Sequence, residues 1–122
     1  MSIDLYVHRP DLPDDTVSTL CKEEDYGEWS DARQFGRRIT VSINDYRPWA
    51  DHGLDIKDLD GLTGQQAVNR IRPVLDAWPA TSVPIALPRE TAWYRDHHSR
   101  SVLAEIEAVC RTNPDWIILE ES

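Results

Sequence analysis

Apolar and polar residues alternate from the start of the chain. Ile3, Leu5 and Val7 interleave with Asp4, Tyr6 and His8, which is the period of a strand with one buried face. Pro10 ends it, because proline cannot donate to a ladder. Asp14 or Asp15 can then cap a helix. Val17, Leu20 and Cys21 fall at helical spacing, so a short amphipathic helix is expected to about Glu24. Ile39, Val41 and Ile43 alternate with Thr40, Ser42 and Asn44. This predicts a second half-buried strand over Arg38 to Asn44, hairpinned to something within 28–35.

Tyr46 to Gly61 shows no usable period and reads as a long loop, a kind of segment that often carries function. Thr63 to Gln66 matches a capping box. Ala67, Val68, Ile71, Val74, Leu75 and Trp78 follow at helical spacing, with a kink expected near Pro73 and a stop at Pro79. A short strand is expected over Ser82 to Leu87. A helix beyond Arg89 carries the stripe Val102, Leu103, Ile106, Val109 and Cys110, with Glu105 and Glu107 outward. Asp115 to Glu120 closes the chain as a strand. Its run Trp116-Ile117-Ile118-Leu119 suggests burial on both faces.

The element order predicts an α+β fold in a single domain spanning 1–122. It consists of one sheet of about four or five strands with three helices packed against it. The composition, 40% hydrophobic and 29% charged, is that of a globular chain rather than a disordered one. The apolar runs are far shorter than the roughly 20 residues of a membrane span. The N-terminus has no secretory pattern, so a cytoplasmic location is expected. Cys21 and Cys110 lie on apolar helix faces and read as buried free thiols.

Charge narrows the function classes. The net charge is −9, and fourteen of the 22 carboxylates lie in residues 1–60 against seven Lys/Arg there. Phosphate contact requires clustered cations, so nucleic-acid and anionic-membrane binding are disfavoured and a basic partner is favoured. Eleven of the thirteen basic residues are Arg. Arginine suits paired carboxylates, so part of the acid is expected to be neutralised within the fold.

No glycine-rich phosphate cradle and no Gly-x-Ser-x-Gly elbow is present, and no cofactor is expected. The acids of 51–61 do not form a calcium loop. With Gly61 at its sixth position, Ile56 and Ala67 occupy two ligand places. The triplet Asp96-His97-His98 resembles the motif with which a phosphoesterase superfamily holds divalent metals. The resemblance covers three residues and lacks that superfamily's additional aspartates. It supports an alternative, a small metal-dependent hydrolase using Asp96, His97 and His98. The plain reading of the triplet is a polar helix start.

The leading expectation is a small acidic binding protein with no catalytic residues, acting as an immunity-type inhibitor that occludes the active site of a basic bacterial toxin. Its partner-binding residues would be Asp45, Tyr46, Trp49, Asp51, Asp55, Asp58 and Asp60, extended by Asp25, Glu28 and Asp31. Aromatic anchors within a charged rim are common at tight interfaces. The plainer reading makes Trp49 core and the acids a solvated face. A third expectation is an adaptor or structural subunit.

Overall fold

A computed structural model describes residues 2–21, 35–78 and 92–121. The elements are β1 (Ser2–His8), α1 (Asp14–Leu20), β2 (Gly36–Ser42), α2 (Ile43–Asp51), a 3-10 turn (Ile56–Leu59), α3 (Gly64–Ala77), α4 (Ala92–Thr112) and β3 (Ile117–Glu121). The fold is α+β. The strands form one antiparallel sheet in the order β2-β1-β3, three strands among the described residues where four or five were expected. The expected strand at 82–87 and residues 28–34 of the expected hairpin partner lie outside the described residues.

The alternation in β1 does send Ile3, Leu5 and Val7 to the main core. There they meet Ile39, Val41 and Ile118 from the flanking strands. Ile71, Val74 and Leu75 of α3, Leu103, Ile106 and Cys110 of α4, and Trp49 of α2 complete that core. The opposite face of β1 is not the solvated face the pattern implied. Tyr6 and His8 are buried there, and Tyr6 packs with Val17 and Cys21 beneath α1. His8 donates from Nδ1 to the Arg9 carbonyl at 2.8 Å.

The strand buried on both faces is therefore β1, not the C-terminal strand. β3 lies at the side of the sheet, and Leu119 and Glu120 are only half-buried. Its outer edge is covered by the chain leading into α3. The Gly61 amide donates to the Ile118 carbonyl at 2.8 Å, and the Ile118 amide donates to the Leu62 carbonyl at 2.9 Å. The Glu120 amide donates to Asp60 Oδ1 at 2.8 Å. An apolar run that looked central is thus an edge closed by a loop, one of the ways proteins protect unpaired strands.

The largest departure is at 43–51. Ile43 was expected to extend the second strand and Tyr46 onward to be loop, but Ser42 turns the chain into α2. Pro48 lies inside that helix and hides it from a propensity reading. The start of α3 follows expectation: Thr63 Oγ1 accepts from the Gln66 amide at 3.2 Å, and Gln66 Oε1 accepts from the Thr63 amide at 3.0 Å. α4 carries the expected stripe, with one correction. Glu107 is buried rather than outward, because Arg72 Nη1 at 3.6 Å and Arg111 Nε at 3.8 Å cover its carboxylate.

Several arginines do pair with acids, as expected. Arg9 meets Asp11 at 2.6 Å, Arg37 meets Glu105 at 3.2 Å and Arg70 meets Asp58 at 3.4 Å. These pairs are solvent-exposed, so each contributes little to stability.

Two buried groups make checkable predictions. Burial, with the nearby Glu107, pushes the Cys110 thiol up to about 12. Both cysteines are buried. A thiol reagent at pH 8 is therefore expected to detect neither in the native protein and both after unfolding in denaturant. Burial also raises Tyr6, helped by Asp4 and Glu121 and opposed by Arg38. The folded state holds this proton more tightly than the unfolded state does. Above the ordinary tyrosine value of about 10, the unfolded chain therefore ionises first and stability falls as pH rises. Tyr6→Phe is expected to flatten that alkaline loss. The check is a set of urea melts between pH 8 and pH 11, and an unchanged slope would remove the assignment.

Candidate functional site

The residues singled out in the sequence separate into an interior group and an exterior group. The interior group joins α2 to α4. Ser42 Oγ donates to Asp45 Oδ2 at 3.0 Å, at the first turn of α2. Asp45 Oδ1 lies 2.7 Å from His98 Nδ1, and an ionised carboxylate only accepts, so the imidazole donates. Ser99 Oγ donates to the Asp45 backbone carbonyl, and Trp49 Nε1 donates to the Ser99 carbonyl at 3.0 Å. Trp49 is 0% exposed, which removes it as a surface anchor. Asp45 is also buried and engaged. The periodicity that would have shown this is Asp45 and Trp49 at i, i+4, facing inward once 43–51 is read as helix.

The Asp96-His97-His98 triplet lies on the first turns of α4. Asp96 accepts from Trp78 Nε1, at 3.2 Å to each oxygen. The Trp78 ring stacks on His52 with centroids 4.2 Å apart. Arg100 donates to the carbonyls of Trp78 and Leu75, closing the C-terminal end of α3. Asp96 thus points to α3 and His98 to α2. Among the described residues, no three His, Cys, Asp or Glu side chains gather as a metal would need. Consecutive helix positions diverge by about 100°, which separates the members of the triplet.

The exterior group comprises Tyr46, Asp51, Asp55, Asp58 and Asp60. All four aspartates are exposed. They lie along the connection from α2 through the 3-10 turn to α3. Asp55 caps the turn, accepting from the Lys57 amide at 2.9 Å, and Asp58 Oδ2 accepts from the Asp55 amide at 3.3 Å. Asp58 is also the partner of Arg70, which donates to the Gly53 carbonyl at 2.6 Å. Asp60 faces β3, as described above. The acids therefore order the connection and still present carboxylate to solvent. Asp25, Glu28 and Asp31 lie outside the described residues.

A surface pocket of about 310 Å³ opens between α2 and the 3-10 turn. It is lined by Ile43, Tyr46, Arg47, Ala50, Asp55 and Ile56. Tyr46 and Asp55 were singled out in the sequence. Ile43, Arg47, Ala50 and Ile56 were not, although 43, 46, 47 and 50 share one face of a helix. Ile43 fits the alternation of the preceding strand as well as this helical face, which masks the pattern.

No helix among the described residues is long and apolar enough to cross a membrane. No protein-family model, no curated protein and no solved structure matches this chain.

Proposed function

We propose that this chain is a small acidic binding module that neutralises a basic protein partner, an immunity-type inhibitor of a bacterial toxin. The observation that carries the reading is the exposed line of Asp51, Asp55, Asp58 and Asp60 on a connection braced at both ends by hydrogen bonds. Carboxylates on a braced segment can meet a cationic surface without being ordered first, which lowers the entropic cost of association. They would occupy the toxin's Lys/Arg sites in place of an anionic substrate, and Tyr46 would supply the aromatic contact. The like sign of the line also speeds encounter with a cation-rich surface. Of the residues the hydrolase alternative would use, Asp96, His97 and His98, Asp96 bonds to Trp78 and His98 to Asp45 in joining helices, which further favours the binding reading.

The test is affinity capture from the source cell's lysate, with the quadruple Asp→Asn variant of 51, 55, 58 and 60 as control. One stoichiometric basic protein is expected, with its activity lost in the complex and with an association rate that falls about tenfold or more between low and physiological salt. The variant should lose the complex while keeping its melting temperature within a few degrees, since Asn retains the capping bonds. Equal capture by both proteins, or by neither, would end the proposal.

A further inference from the structure

We infer that the pocket between α2 and the 3-10 turn receives an arginine side chain of the partner; this rests on the basic-partner reading above. Its walls have what such a side chain needs. Ile43, Ala50 and Ile56 offer an apolar surface for the aliphatic stem. Tyr46 is half-buried, packs against the core on one side and lines the pocket on the other. A tyrosine ring held in this way is a stacking surface for a planar guanidinium. Asp55 stands on the pocket wall with one oxygen accepting from the Lys57 amide. A carboxylate has about four lone-pair sites, so acceptor capacity remains for a forked donor.

Arg47 also lines the pocket and carries the same charge as the proposed occupant. It opposes entry, and it gives the inference a signature that acidity alone would not produce. Removing Arg47 should tighten binding, whereas removing any ordinary interface residue should weaken it.

The experiment is an NMR titration of the full chain with arginine blocked at both ends, alongside blocked lysine and blocked citrulline. Saturable amide shifts are expected at Ile43, Tyr46, Ala50 and Ile56 with the arginine probe at millimolar concentration, weaker with lysine and absent with citrulline. Asp55→Asn should weaken the arginine effect several-fold without disturbing the turn, because Asn caps nearly as well as Asp. Arg47→Gln should strengthen it several-fold. Shifts of equal size for arginine and lysine, spread over Asp58, Asp60, Glu120 and Glu121, would overturn the pocket and leave the basic-partner reading standing. No saturable shift at the pocket residues would overturn it as well. Arginine binding in the pocket of a chain that captures no basic protein would overturn its assignment to that partner alone.

Discussion

Trp49→Ala is expected to destabilise the protein by about 3–5 kcal/mol, the range for truncating a fully buried large aromatic. Trp49 is 0% exposed and reaches from α2 across to α4, where its indole N–H donates to the Ser99 carbonyl at 3.0 Å. The substitution removes the hydrogen bond and leaves a large void in the main core, to which Trp49 belongs. Typical total stability is about 5–15 kcal/mol, so a loss of this size is a large part of it. Trp49→Phe retains much of the volume and forfeits the donor, and a smaller loss of about 1–2 kcal/mol is expected. Urea denaturation of both variants measures this. If Trp49 were an interface anchor instead, both melts would match the wild type and only partner binding would change.

Gly64→Ala should also destabilise, although helix propensity points the other way. Gly64 is the first residue of α3, and alanine in a helix is favoured over glycine by about 1 kcal/mol. The surroundings reverse that sign. A Cβ at this position would collide with the Asn113 carbonyl, lie 2.8 Å from the Cys110 carbonyl oxygen and 3.0 Å from Pro114 Cα. These are backbone atoms at the end of α4 and cannot swing aside as a side chain could. The Gly64 amide also donates to the Trp116 carbonyl at 2.6 Å, which ties the start of α3 to the chain entering β3. Overpacking of this kind costs about 1–3 kcal/mol, more than propensity returns. A lowered melting temperature for Gly64→Ala checks the argument, and an unchanged or raised one would show that the helices can separate at this corner.

The candidate site shows how far a pattern reading reaches. Tyr46, Asp51, Asp55, Asp58 and Asp60 were legible because charge and aromatic character are properties of single residues, and all five remain at the surface or lining the pocket. Asp45 and Trp49 are their neighbours in sequence, but helical rotation turns them to the face of α2 that packs on α4. Pro48 obscured that helix. The bonds that hold it against α4, from Ser99, His98 and Trp49, come from residues about fifty positions apart in sequence, which local propensity cannot anticipate. The same holds for Asp96, whose bond to Trp78 exists only because α3 and α4 pack side by side.

What the sequence by itself determined was local: the phase of β1 toward the core, the capped start of α3, the stripe of α4, the surplus of acid and the two reduced thiols. Each depends on a period or a side-chain chemistry contained within a few residues. Tertiary structure alone decided which strand is central, which apolar run is an edge, where Glu107 is buried and which acids face solvent. Tyr6 and His8 are amphipathic and fit either a wet or a covered face; both are buried, and α1 packs over Tyr6. Ile117 to Leu119 would suit a central strand as well as an edge, and β1 had already taken the centre. Burial is a property of what packs on top, and that depends on the whole chain.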